Sequence, residues 1–428
     1  MKILNSYSKN FDRLLDNLLL ERKKKLKSSS VSVTKIINDV KKNGDKAILK
    51  YEKKFNKNTI IVPSVNQINK SIKSLDEKVK KAIDDAYHRI YKFHSLQKFK
   101  NISYKDKYKN KIDYKYLPLD SVAIYVPGST ASYPSTVLMC AIPAIVAQVK
   151  RIVMINPGYK GKQNPAVLYA AKLCGINEIY SIGGPSAISA ITYGTRKIKP
   201  VNKIVGPGNE YVAAAKREVF GDIGVESMFC GPSEVTIVCD KKSNPEWIAS
   251  DLVGQAEHSE LVQCILISKD KNIIQKTKRE IFKQANEIPR STIAKKSLSK
   301  YGMLLHVNSD KKIIEIINKI GPEHLELNIK NYKSYIPKIK SSGSVCLGKY
   351  AVMSMTDMGA PGSNHVLPTN MSSKYSSGLN VSEFMKKISY ITLTKFGIES
   401  LGPSAITLAN YEGLKAHAKS IVKRIRRK

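Results

Sequence analysis

From Ser121 onward, short β-branched apolar runs alternate with Ala-rich stretches of helical spacing. The runs are SVAIYV (121–126), RIVMIN (151–156), EIYSIG (178–183) and KIVGPG (203–208), and the stretches between them predict helices over 135–149, 163–174, 185–194 and 209–220. A strand–helix alternation with a period of roughly 25 to 30 residues reads as βαβ units on a parallel sheet. A second series begins after a boundary near Phe229 to Ser233. VTIVCD (235–240) and VQCILIS (262–268) are strands, EWIASDLVGQAEH (246–258) is a helix between them, and a Lys-rich helix follows. Two α/β sheets are therefore expected. Residues 26–120 read as helical, Lys-rich and packed on one of them, and residues 1–25 (with FDRLLDNLLLERKKK) as an amphipathic helix. Beyond Ser376, a β-like run KISYITLT (387–394) precedes a helix rich in Ala and Lys.

Composition narrows the class. With 428 residues and 42% hydrophobic content the chain can bury sizeable cores, which excludes a disordered tail or a disulfide mini-protein. Lys plus Arg is 72 against 35 Asp plus Glu, a formal charge of +37. That excess raises a nucleic-acid-binding reading, which requires basic clusters interleaved with aromatics. Here the lysines are dispersed and aromatics make up only 7%, so the charge reads as compositional drift and no specific nucleic-acid partner is expected. None of the six cysteines has CxxC spacing. They read as buried, reduced thiols in a reducing, cytoplasmic compartment. The N-terminus lacks the apolar run and cleavage site of a signal peptide. Ser121 to Val149 carries no charge, but Pro127, Gly128, Pro134 and Pro143 interrupt it, and Val137 to Val149 is too short to span a membrane.

Four segments offer chemistry. Gln255 and His258, three apart in GQAEH, share a helical face, a spacing that suits two metal ligands and equally a polar face. Glu323 and His324 lie in GPEHLEL, where Gly321 and Pro322 end the preceding helix and leave the pair on a loop as two acid–base groups. Asp357 and His365 lie in the loop TDMGAPGSNHVLPTN. Glu412 and His417, in YEGLKAH, would point about 140° apart on an ideal helix. Either Gly413 relaxes that helix, or its end projects into a cleft shared between two subunits. Together Gln255, His258, Asp357 and His417 are candidates for one divalent site suited to zinc. YVPGST, GGPSA and GPGNEYV each follow a strand and precede a helix, which exposes backbone N–H groups to an anion. No GxGxxG is present, so no dinucleotide fingerprint is claimed.

YVPGSTASYPSTVLM, YGTRKIKPVNKIVGPGNEYVAAAK, CGPSEVTIV, ASDLVGQAEH, GPEHLEL, SNHVLPT and YEGLKAH, in this order, resemble the histidinol dehydrogenase family from about residue 30 to 420. The resemblance implies an α/β fold of two incomplete Rossmann-like parallel-sheet domains with small helical terminal domains, in an intertwined homodimer. It groups 26–124 with 234–375 as one discontinuous domain and makes 125–233 the NAD-side domain. Residues 1–25 become a dimer contact, and 376–428 a dimerisation segment that completes the partner's site. It implies oxidation of L-histidinol through L-histidinaldehyde to L-histidine, with two NAD reduced and one zinc per subunit. By resemblance Gln255, His258, Asp357 and His417 bind zinc. His324 is the general base and Glu323 activates water. Ser233, His365 and Glu412 contact substrate alongside His324 and the zinc ligands, and Tyr125, Ser186 and Asn209 contact NAD. The sequence departs from the family pattern at Ser186, usually Gln, and at Ser129, usually Gly. Asp357 precedes His365 by eight residues where seven is usual, an insertion that Gly359 or Gly362 can absorb. A same-family dehydrogenase of another small alcohol is the alternative. Glu412 and His365, suited to a cationic imidazole-bearing substrate, argue against it.

Overall fold

The computed structural model describes residues 1–25, 30–128, 132–158, 160, 162–226 and 231–425, and side chains outside 23–31. The chain opens with strand β1 (Lys2–Asn5) and helix α1 (Phe11–Lys25). Helices α2 (Ser30–Asn43), α3 (Asp45–Phe55), α4 (Val65–Lys73) and α5 (Glu77–Ser95) and strands β2 (Ile102–Lys105) and β3 (Lys111–Pro118) follow. The next unit is β4 (Ser121–Tyr125), α6 (Pro134–Val146), β5 (Arg151–Ile155), α7 (Pro165–Leu173), β6 (Glu178–Tyr180), α8 (Gly184–Tyr193), β7 (Lys203–Val205), α9 (Glu210–Glu218) and β8 (Gly224–Val225). Then come β9 (Glu234–Cys239), α10 (Pro245–Ala256), β10 (Gln263–Ser268), α11 (Lys271–Glu287), α12 (Ser291–Tyr301), β11 (Met303–His306), α13 (Asp310–Ile320), β12 (His324–Asn328), β13 (Ser344–Leu347) and α14 (Met353–Asp357). Strand β14 (Met385–Thr392) and helices α15 (Lys395–Tyr411) and α16 (Lys415–Ile425) close the chain.

The apolar runs become parallel strands buried on both faces, which is why they read as continuous rather than alternating. The five-stranded sheet has the order β6-β5-β4-β7-β8. On β4, Val122 and Ile124 face the core formed with α5, α6 and α7, while Ala123 and Tyr125 face the core formed with α2, α8 and α9. The six-stranded sheet has the order β1-β11-β10-β9-β12-β13. Val235 and Ile237 face α10, α11 and α12, and Val238 faces α1 and α13. Both sheets are parallel, as the alternation predicts, and carry helices on both faces.

Three expectations change. Residues 2–5 form a strand, paired in parallel with β11, so the N-terminus is not one helix. Its helix α1 buries Phe11, Leu15 and Leu19 in this chain's own core. Residues 102–118 are β2 and β3, not helix, and join β14 in an antiparallel sheet of order β14-β3-β2. The alternation Ile112, Tyr114, Tyr116 carries this strand, and the charged Lys111, Asp113 and Lys115 between and beside them hide it. Finally, α2 and α3 pack on α8, and α4 and α5 on α7. The helices of 30–95 therefore lie on the five-stranded sheet and not on the 234–347 sheet with which the resemblance grouped them. Among the described residues no helix is long and apolar enough to cross a membrane. Cys140, Cys174, Cys239, Cys264 and Cys346 are buried free thiols; Cys230, like Ser129, lies outside the described residues.

Candidate functional site

A cleft of about 1000 Å³ separates the two parallel sheets. One wall is the topological switch point of the five-stranded sheet, where connections leave β4 in one direction and β7 in the other. Tyr125, Pro127 and Gly128 at the end of β4 and Pro207 to Glu210 after β7 line it. Carboxyl-end switch points are where α/β sheets bind ligands. The facing wall is built from the opposite strand ends. Ser233 precedes β9, His258 to Leu261 precede β10, and Glu323 and His324 open β12. Asp357, Met358 and His365 to Thr369 complete the lining, with Thr136.

His324 is the first residue of β12 rather than a loop residue, because the chain enters the sheet directly after the turn at Gly321 and Pro322. Gly321 caps α13 at φ 55°, a left-handed conformation that favours glycine. The His324 ring is buried, with Nδ1 3.1 Å from the Ser344 hydroxyl and Nε2 3.4 Å from Asp357 Oδ1. Burial, then the neighbouring His365 and His258, lower its pKa to about 3, so the imidazole is neutral. Burial also holds Asp357 up to about 7. The neighbouring Glu323 accepts the Glu234 backbone N–H at Oε2 (2.7 Å). Burial raises its pKa well above the usual range.

His365 is held from both sides. Nδ1 lies 2.9 Å from the Asp357 carbonyl, which can only accept, so Nδ1 carries the proton and Nε2 accepts from the Thr136 hydroxyl at 3.0 Å. Burial lowers this imidazole to about 4. Between Asp357 and His365 the chain turns against α5 at Gly359 (φ 73°) and Gly362 (φ 93°). A Cβ on Gly362 would lie 2.6 Å from the Arg89 carbonyl oxygen. Asp357 closes the short helix α14, so it is not on an irregular loop.

His258 lies just past the end of α10, its N–H donating to the Gln255 carbonyl at 3.2 Å. The two residues are neighbours across a helix end rather than along one helical face. Gln255 is fully buried, yet neither its Oε1 nor its Nε2 has a hydrogen-bond partner, and Asp357 Oδ1 has only the His324 ring nitrogen at 3.4 Å, outside hydrogen-bond geometry. Each such orphaned group costs about 1–3 kcal/mol. An unsatisfied amide, an unsatisfied carboxylate oxygen and a desolvated imidazole form an oxygen-plus-imidazole donor set that fits a zinc ion. The chain supplies only two His or acidic members of this set. In keeping with that, no group of three His, Cys, Asp or Glu among the described residues could hold a metal. The fourth expected ligand is elsewhere: His417 on α16 and Glu412 at the end of α15 are both exposed and outside the cleft. Gly413 (φ 77°) breaks the helix between them, so the single-helix geometry does not arise.

On the wall of the five-stranded sheet, Tyr125 and Asn209 line the cleft and Ser186 does not. Ser186 is buried and donates to the Gly183 carbonyl at 3.0 Å. The backbone N–H groups of the GGPSA turn are also spent internally. Gly183 donates to Glu52 Oε1 (2.8 Å) and Gly184 to the Tyr125 hydroxyl (3.1 Å). Asn209 likewise caps α9 by accepting from Val212 N–H.

Sequence reading missed the residues that support these groups. Glu326, two beyond His324 on β12, shares a hydrogen bond with Asp251 of α10, and burial raises both carboxyls, Asp251 to about 6. Glu326 Oε1 accepts the Met353 N–H at 2.7 Å and so fixes the start of α14. The alternation in HLEL was the available signal.

The family model for histidinol dehydrogenase matches residues 20–425. A histidinol dehydrogenase of Pelagibacter ubique (strain HTCC1062) is 72% identical over 428 residues, covering 100% of both chains. Histidinol dehydrogenase 1 of Nostoc sp. is 41% identical over 99% of each. A crystal structure of histidinol dehydrogenase from Elizabethkingia anophelis superposes with a TM-score of 0.90 at 36% identity, covering 99% of this chain and 98% of that one.

Proposed function

The chain belongs to the histidinol dehydrogenase family and is an oxidoreductase of histidine biosynthesis, and from that premise we propose how its cleft works. The reaction is oxidation of L-histidinol to L-histidine by way of L-histidinaldehyde. The observation that carries this reading is the pairing of Glu323 with His324 at the amino end of β12, across the cleft from the switch point of the other sheet.

Tyr125 and Asn209 would hold NAD, which would supply the hydride acceptor, and Gln255, His258, Asp357 and a fourth ligand would hold zinc, which would supply a Lewis acid for the amine and imidazole of the substrate. The chain's own residues do the proton chemistry. His324 lines the cleft, with Nδ1 beside the Ser344 hydroxyl and Nε2 beside Asp357. A neutral imidazole there takes the proton of the alcohol in the first oxidation. In the second, Glu323 in its ionised form takes a proton from water adding to the aldehyde, with Oε2 anchored by the Glu234 N–H. His324, having released its first proton to solvent, then accepts the proton of the hydrate. Ser233 and His365 contact the substrate from the same wall, and the buried setting of the pair excludes bulk water.

His417 supplies the fourth ligand, and Glu412 a contact to the substrate amine, in the cleft of a second copy. Their exposure supports this, as does the apolar surface around them: Leu393, Phe396, Leu408 and Tyr411 are 57%, 56%, 59% and 91% exposed. Apolar patches of this kind mark association surfaces. The unbridged cysteines fit a reducing, cytoplasmic setting.

The test is NADH formation from L-histidinol by the purified protein, before and after chelation and zinc re-addition. Two NADH per histidinol, lost on chelation and restored by zinc, is the expected result. A zinc-loaded protein that makes no NADH from histidinol but oxidises another small alcohol overturns the substrate assignment.

A further inference from the structure

Helix α1 carries a charged residue on its buried face. Phe11, Leu15, Leu19 and Arg22 follow one another at spacings of four, four and three, a single helical stripe, and Arg22 is only 3% exposed. A guanidinium there is costly unless its donors are paired. Its Nε donates to the Leu261 carbonyl (3.0 Å), Nη1 to the Glu234 carboxylate, and Nη2 to the carbonyls of Pro232 (2.6 Å) and Ser233 (3.3 Å). Glu234 Oε1 also accepts the Asn370 N–H at 2.9 Å, and the Glu234 N–H reaches Glu323 Oε2. One ion pair thus joins four segments of the His324 wall: 232–234, Leu261, Glu323 and the chain just past Thr369. Neither Arg22 nor Glu234 lines the cleft.

We propose that Arg22 is a positioning residue for the second half-reaction, holding Glu323 through the Glu234 backbone so that its free oxygen faces the water that adds to the aldehyde. The proposal rests on the assignment of Glu323 made above. Only the aldehyde step uses Glu323, so loss of Arg22 falls unequally on the two oxidations. A purely structural Arg22 affects both alike.

The experiment compares zinc-loaded wild type, Arg22→Met, Arg22→Lys and Glu234→Gln. It measures single-turnover NADH formation from L-histidinol and steady-state NADH formation from L-histidinaldehyde. A displacement on the order of 1 Å costs up to about a hundredfold. Arg22→Met is expected to slow aldehyde oxidation at least about tenfold more than the first hydride transfer. Arg22→Lys, which keeps the charge but not the fork, shows the same split, smaller. Equal losses at both steps, or no loss, overturn the proposal. If Arg22→Met does not fold, Arg22→Lys and Glu234→Gln decide by the same split. Wild-type protein that oxidises neither compound overturns the histidinol reading itself. Wild-type protein that oxidises both, beside variants without a split, overturns only the role of Arg22.

Discussion

The two walls of the cleft are built from opposite ends of parallel strands. The five-stranded sheet presents the carboxyl ends of β4 and β7, with turns and helix starts that follow the usual rule for α/β ligand sites. The six-stranded sheet presents the amino ends of β9, β10 and β12, and its chemistry comes from side chains placed just before or at the first residue of each strand. The difference is one of kind. The first wall is mostly backbone and turn: Asn209 caps the start of α9, and the start of α6 at Pro134 to Thr136 lines the cleft without a side-chain cap. The second is a buried set of titratable groups whose protonation burial has shifted, His324 to about 3 and Asp357 to about 7. A strand's amino end thus presents titratable side chains to the cleft where a carboxyl end presents backbone and turns.

This contrast predicts where substitutions hurt. The largest effect belongs to the side-chain wall. His324→Ala should lower turnover by about two to four orders of magnitude, the range for a general base, and near-normal turnover would remove His324 from the mechanism. Next comes His417→Ala, which should lower zinc content although His417 is exposed and outside the cleft. Metal analysis of the purified variant reads this directly, and full occupancy would reject the ligand role. Mixing His417→Ala with His324→Ala chains sharpens the point. Sites shared between subunits recover activity in the hybrid, and sites built within one chain do not.

The backbone wall should respond through stability. Burial raises Glu52 from 4.5 to about 7, against hydrogen bonds from Gly183, Asn56 and Asn58 that lower it. The folded chain therefore keeps this proton longer than the unfolded chain. The resulting stabilisation is complete below about pH 4.5 and is lost as the pH rises through about 7. Glu52→Gln retains an acceptor for the Gly183 N–H and removes the titration. Its stability should fall less between pH 5 and 8, by on the order of 2 kcal/mol, as followed by urea midpoints; parallel pH profiles for variant and wild type would exclude Glu52 as the source. The smallest effect is Ser186→Ala, which should leave the KM for NAD unchanged, since its hydroxyl is turned to Gly183. A large rise in KM would restore Ser186 to the cofactor site.

Legibility followed the same division. The parallel strands could be read because burial on both faces demands an unbroken β-branched run, and Gly321 because a helix stop needs a left-handed residue. Strands β2 and β3 could not, since their alternation was masked by lysine on a largely exposed sheet. Arg22 was hidden for the reverse reason: a charged residue on an apolar stripe reads as helix surface until its partners are known.

The sequence by itself determined the two α/β units, the turns between strand and helix, and the residue types of the site, because these depend on local periodicity and on side-chain chemistry. Only the tertiary structure decided that one sheet's carboxyl ends face the other's amino ends. Only it left Gln255 and Asp357 with unsatisfied atoms, and only it tied α1 to Glu323 through Arg22 and Glu234. These contacts join residues up to 212 positions apart. No local pattern encodes such a pairing, since it arises when separately formed elements bury their faces together and every polar group caught between them must find a partner.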